Sequence, residues 1–189
     1  KILLLSKWKG KFDWFTHANN VKSKESHIVV ARRFNPHSPN THLFAFFSNK
    51  KIVSPHTFKI LKFTSSSEAL VQSLILNSSF TIGNMMSHRE QTTGAFTDIM
   101  ESDLILFDVF DFRNLSSQQV SNLHKLFKKL SKIEFPSLIE QFQSSFEGRK
   151  MLDSFLLELL GFDKNKTELV LKKLYSALYY ELDNTKTGN

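Results

Sequence analysis

Apolar residues alternate with polar ones in the first third of the chain and then shift to helical spacing for the remainder. His27-Ile28-Val29-Val30-Ala31-Arg32-Arg33-Phe34 is β-branched and apolar, and it runs into the turn-forming stretch Asn35-Pro36-His37-Ser38-Pro39-Asn40. Further strands are expected at His42–Phe47, at Lys51–Ser54 after a tight turn at Ser48-Asn49-Lys50, and at Thr57–Phe63. In the last of these Phe58, Ile60, Leu61 and Phe63 are apolar while Lys59 and Lys62 point elsewhere. That pattern predicts a half-buried sheet with one wet, basic side.

Helix signals take over at Ser65. Ser65 and Glu68 have capping-box spacing ahead of Leu70, Val71, Leu74 and Ile75. Asn77-Ser78 interrupts, and a second helical run covers Phe80 to about Met86. The polar stretch Ser87–Gly94 reads as a loop, in which Gly94 suits a turn with positive φ, and strands are expected at Ala95–Ile99 and Leu104–Phe110. From Leu115 onward the pattern is helical. Ser116 and Gln119 form a second capping box before the stripe Val120, Leu123, Phe127 and Leu130. Phe135-Pro136 ends that run, and helices follow at about Ser137–Phe146 and Lys150–Leu160, the latter stopped by Gly161. Asn165 with Glu168 starts the last helix, with a seam at Leu169, Leu171 or Lys172, Leu174, Leu178 and Leu182. The seam's default destination is the molecule's own core, with a catalytic domain elsewhere in a parent protein or a second copy as alternatives. Arg149 and Asp153, at i,i+4, form a pair that as a surface contact supports their helix by only about 0.3–0.5 kcal/mol.

These elements give an α+β fold: a mixed-sheet lobe with packed helices over residues 1–112, a helical region over 113–184 and a tail at 185–189. With 189 residues and 19 Phe, the chain can bury a core without staples. The absence of cysteine removes disulfides and thiolate chemistry and fits a cytoplasmic setting. No early apolar run is long enough for a signal peptide or a membrane span. The chain opens at Lys1 without a methionine, as expected of a piece of a longer protein.

Net charge is +7, and its placement changes the picture more than its size. Residues 1–62 hold 12 Lys/Arg against two acids, Asp13 and Glu25, whereas residues 99–189 hold 12 bases and 13 acids. The whole basic excess lies in the opening third, which points to a polyanionic partner for that third or to a solubilising surface.

Catalytic parts are scarce. The six glycines form neither GxG nor a P-loop, and no GxSxG elbow is present. Five of the seven histidines (His17, His27, His37, His42, His56) fall in the basic third, but none has HxxxH or HExxH spacing. Asp108 and Asp111 flank Phe110 at a strand end and would suit Mg²⁺, yet no Glu-x-Lys follows to complete a nuclease core. No metal site is expected.

Leu76-Asn77-Ser78-Ser79-Phe80, then Gln91-Thr92-Thr93-Gly94-Ala95-Phe96, Ile99 and Ser102-Asp103-Leu104, form an ordered set. It resembles the target-recognition domains of N6-adenine DNA methyltransferases and the specificity subunits of type I restriction systems. Upstream, Ala45-Phe46-Phe47-Ser48 with Lys50-Lys51 and Thr57 is similar to the strand pair preceding that helix in such domains. Phe135-Pro136-Ser137-Leu138, Phe146-Glu147-Gly148-Arg149 and Leu152-Asp153 resemble the helical tails of large adenine methylases. The likeness spans roughly residues 27–183. Two departures matter. Asn35-Pro36-His37-Ser38 lacks the second proline and the aromatic that grip a flipped adenine, and no glycine-rich site for S-adenosylmethionine is present. The resemblance therefore implies recognition without catalysis: no enzyme and no cofactor in this chain, with S-adenosylmethionine bound in a catalytic methyltransferase domain of the parent protein.

Positive charge on a β-rich lobe neutralises phosphates, and loop side chains reach major-groove edges. The expected double-stranded DNA contacts are Arg32, Arg33, Asn35, His37, Asn40, Lys50 and Lys51 in one zone and His88, Arg89, Gln91, Thr92 and Thr93 in a second. Asn77 and Ser78 suit helix ends better than base reading. A non-catalytic assembly module docking through its C-terminal helices, as a homodimer or on another partner, is the rival reading, and a nuclease using Asp108 and Asp111 is a third.

Overall fold

The computed structural model describes residues 25–54, 58–88, 97–98 and 112–184. A three-stranded antiparallel sheet is followed by helices, an α+β fold. Strand β1 (Glu25–Ala31) lies between β3 (Ala45–Val53) and β4 (Phe58–Leu61). The two-residue strand β2 (Arg33–Phe34) pairs instead with β5 (Thr97–Asp98). Arg32 marks the bend at which the expected single strand His27–Phe34 divides.

Register assigns the faces. Ile28, Val30, Ala45, Phe47 and Leu61 share the inner side, and Val29, Phe46, Phe58 and Ile60 share the outer side. The outer side is thus apolar at its centre, with Phe46 meeting Phe58 edge-on at 6.1 Å, and it is not the wet, basic surface that the Thr57–Phe63 pattern predicts. Lys59 is level with Val30 and so falls on the inner side. The reason lies in β1, where Ile28, Val29, Val30 and Ala31 are all buried and demand apolar neighbours on both faces.

Helix α1 (Ser66–Leu76) backs the sheet and is buried at every position from Ala69 to Leu76, as the middle element of the fold must be. The Ser65 side chain caps it by accepting from Glu68 N, while the Glu68 carboxylate turns to Thr64 instead of closing the box on Ser65. After Asn77 and Ser78 comes α2 (Ser79–His88). A short 3₁₀ turn (Phe112–Asn114) leads into α3 (Ser117–Leu130), which has the full Ser116–Gln119 capping box. Helices α4 (Leu138–Gln143), α5 (Glu147–Leu159) and α6 (Lys164–Asn184) complete the chain.

Two turns stop their helices in the same way. Gly161, at φ 78°, donates to Glu158 O while Phe162 N reaches back to Leu157 O. Ser145 takes the equivalent place after α4 at φ 50°, with Ser145 N on Phe142 O and Phe146 N on Gln141 O. The last helix starts one residue before Asn165, because Asp163 supplies the cap: its side chain accepts from Asn165 N and its carbonyl from Lys166 N and Thr167 N. Its buried line is Thr167, Leu171, Tyr175, Leu178 and Leu182, so Leu169, 57% exposed, falls off the expected seam.

Two apolar cores result, and both draw on residues before and after position 112. One joins Ile28, Val30, Phe44 and Ile82 to Leu138, Phe142, Tyr175, Leu178 and Leu182, so the α6 seam is spent inside the molecule. The other sets Leu70, Val71, Leu74 and Ile75 of α1 against Leu123, Leu126, Leu130, Leu152 and Leu156. Among the described residues no helix is long and apolar enough to cross a membrane.

Candidate nucleic-acid interface

The expected DNA contacts fall into groups at opposite ends of β1. At its N-terminal end, the register with β3 jumps from Ile28↔Phe47 to Ser26↔Ile52, so Ser48–Lys51 oppose His27 alone. The turn expected at Ser48-Asn49-Lys50 is therefore a large bulge inside one strand, with the segments on either side both paired to β1. Lys50 N bonds to Ser48 Oγ at 3.2 Å, and the His27 ring donates from Nδ1 to Ser48 O at 2.9 Å, which ties the bulge down. Lys50 and Lys51 are exposed at its tip. No ion pair of the described residues uses them.

The second group lies past the C-terminal end of β1, five residues from His27 and so roughly 17 Å along the chain. Arg32 and Asn40 are exposed there. The others serve the structure. Arg33 reaches Asp98 on the paired strand at 3.6 Å. Asn35 accepts from His37 N through its side chain and from Ser38 N through its carbonyl, so Asn35-Pro36 is a turn. His37 Nε2 donates to Leu182 O at 2.8 Å, which clasps this loop to the end of α6. His88 ends α2, whereas Arg89, Gln91, Thr92 and Thr93, with Gly94 and the strand expected at Leu104–Phe110, lie outside the described residues, as do Asp108 and Asp111; of the strand expected at Ala95–Ile99, Thr97–Asp98 is described and forms β5.

The motifs that carry the family resemblance converge elsewhere, on a buried polar hub. Asn77 ends α1, and its side chain grips the start of β3: Oδ1 accepts from Phe44 N and Ala45 N, and Nδ2 donates to Ala45 O and Ser73 O. The Asn77 carbonyl accepts from Arg149 Nη1. Arg149, wholly buried, also donates from Nε and Nη2 to Gln141 Oε1 and lies over the Phe142 ring at 5.5 Å. Asp153, one turn on and equally buried, accepts from Ser79 N at 2.9 Å, Ser79 Oγ at 2.5 Å and Tyr175 OH at 2.8 Å. Beside Arg149, Gly148 leaves room for the Phe146 ring, which a Cβ there would meet at 2.8 Å.

Burial pushes the Asp153 carboxyl above the ordinary carboxylate range, against the pull of Arg149 and of its Ser79 and Tyr175 donors. Burial also lowers Arg149, with Asp153 opposing, and raises Tyr175, with Asp153 adding to the effect. Arg149 and Asp153 are therefore not the weak surface pair that i,i+4 spacing suggests. They join α5 to the α1–α2 junction and to α6, and every polar group of the hub has a partner within the protein. Such a hub fixes geometry and offers a ligand no opening.

Sequence reasoning missed Gln141 and Tyr175 as hub members, because each lies on a stripe that periodicity reads simply as core. Comparison with known protein families, curated proteins and solved structures gives no match.

Proposed function

We propose that this chain is a sequence-specific reader of duplex DNA, the recognition part of an adenine N6 methyltransferase of restriction-modification type. Base flipping, S-adenosylmethionine binding and methyl transfer then belong to a catalytic domain of the cytoplasmic parent protein. The reading rests most on one observation: Lys50 and Lys51 are exposed at one end of β1 and Arg32 at the other. Backbone positions roughly 17 Å apart along the chain span about five phosphates of one strand, at about 3.4 Å each. The buried hub supports the same reading, since a rigid base under the sheet preorganises its charged ends.

The test is fluorescence anisotropy with a labelled duplex over a salt series. Several phosphate contacts give a log–log slope of about −0.9 each. Binding that ignores salt overturns the proposal.

One observation favours an assembly role instead. Leu160 and Phe162 are 52% and 48% exposed beyond α5, and Leu169 and Tyr180 lie 57% and 65% exposed on α6, about three turns apart on one side. Light scattering separates the readings: a stable dimer indifferent to DNA supports assembly.

A further inference from the structure

The bulge in β3 does more than expose two lysines. Beside it is a polar recess of about 200 Å³ lined by Glu25, Ser26, His27, Lys51 and Lys62, with Phe63 and Ala69 completing it. Three strands build it. Leu61 pairs with Ile28, so Lys62 follows alongside His27 on the β4 side. The extra residues of the bulge bring Lys51 to the same level on the β3 side. Ser26 is committed to the frame, donating to Leu61 O at 2.5 Å and accepting from Ile28 N at 3.2 Å. His27 is held through Nδ1 by Ser48 O and stacks on Phe47.

What remains to meet a ligand is two ammonium groups and one carboxylate, a net charge of +1. Neither Lys51 nor Lys62 takes part in an ion pair of the described residues, so two exposed lysines on either side of β1 line one recess with no carboxylate within pairing distance. A tetrahedral oxyanion with a single negative charge can accept from both lysines and leaves the recess neutral. A phosphodiester has that charge. Its oxygens are pure acceptors, suited to lysine heads, and Glu25 disfavours a dianion. From this arrangement we infer that the recess between Lys51 and Lys62 is the seat of one DNA backbone phosphate, fixing the strand's position beside β1. The inference rests on the DNA-reading proposal and names a contact within it.

The experiment uses the full chain, as wild type, as Lys51→Gln/Lys62→Gln, and as Lys128→Gln/Lys129→Gln, an equal charge change at exposed positions of α3. Anisotropy is measured on a 20-base-pair duplex and on a scrambled one across a salt series. The expected result is a slope less negative by about 0.9 for the recess variant only, with equal weakening on both duplexes. A steep wild-type slope that the recess variant retains overturns the phosphate seat and leaves DNA reading intact. If the wild type binds no DNA, the proposed function fails. The recess is then judged with dimethyl phosphate, a monoanionic phosphodiester, followed by the NMR signals of the His27 ring. A saturable shift lost in the Lys51/Lys62 variant supports an anion site, and no shift removes it.

Discussion

Asp153→Ala is the most informative single perturbation of this fold. Asp153, Ser79 and Arg149 are each 0% exposed and Tyr175 is 2% exposed, so no solvent repairs what the substitution removes. Three donors lose their acceptor: Ser79 N, Ser79 Oγ and Tyr175 OH. At about 1 kcal/mol or more for each buried donor left unsatisfied, the loss is at least about 3 kcal/mol. Arg149 touches Asn77 and Gln141 instead of Asp153, so the loss of the nearby carboxylate reaches it only through space and adds to that figure without a broken ion pair. The same two residues as an exposed i,i+4 pair would be worth about 0.3–0.5 kcal/mol, so the two accounts differ roughly tenfold. Equilibrium urea unfolding of the full chain, followed by circular dichroism, measures the difference. A midpoint shift worth under about 1 kcal/mol, at unchanged slope, would refute the hub. Arg149→Met provides a second check, since it strips the donors from the buried Asn77 O and Gln141 Oε1 and is expected to cost at least about 2 kcal/mol. A loss under about 1 kcal/mol contradicts that account.

Other expectations follow from single residues. Asn77→Ala strips partners from Phe44 N, Ala45 N and Ala45 O and is expected to cost about 3 kcal/mol by urea unfolding, with amide exchange at Phe44 and Ala45 accelerated. Ser145→Gly is expected to stabilise by about 0.5–1 kcal/mol and Gly161→Ala to destabilise by about 1 kcal/mol, opposite signs from the same left-handed turn, read as thermal midpoints. The Glu140 carboxyl is held below its ordinary value, first by the Ser137 side chain, then by the Ser137 backbone and by His42. A depressed carboxylate contributes stability above its unfolded value of 4.5 and loses it as pH falls through the lower folded value. Protection at Ser137 and Gln141, measured against the intrinsic exchange rate at each pH, is therefore expected to fall below about pH 4.5 in the wild type, and Glu140→Gln is expected to flatten that dependence.

Much of this architecture was legible in the chain because it is dictated locally. The Ser116–Gln119 box, the stop at Gly161 and the interruption at Asn77-Ser78 depend on residues a few positions apart, and each stands where spacing predicts it. What escaped depends on distant partners. The i,i+4 spacing of Arg149 and Asp153 is identical on a wet and a buried face, and only the packing of α1, α2 and α6 around α5 makes the pair a hub. Lys62 and His27 look like scattered basic residues until the β3 bulge brings Lys51 level with them. The outer face of the sheet departs from its pattern for a related reason, because alternation within β4 carries no trace of the all-buried β1 beside it. Of the expected DNA contacts, Asn35 and His37 turned out to be fasteners, since a polar side chain in a loop satisfies its own backbone or a helix end as readily as a base.

β3 is an outermost strand of the described sheet, and such a rim is a ready template for a stray chain. The extra residues at Ser48–Lys51 break the flat repeat that an incoming strand would need, and two ammonium groups stand guard over the break. The proposed contact with a polyanion and the resistance to self-stacking then draw on the same side chains. A variant neutralised at Lys50 and Lys51 is accordingly expected to form aggregates at protein concentrations where the parent chain stays dispersed.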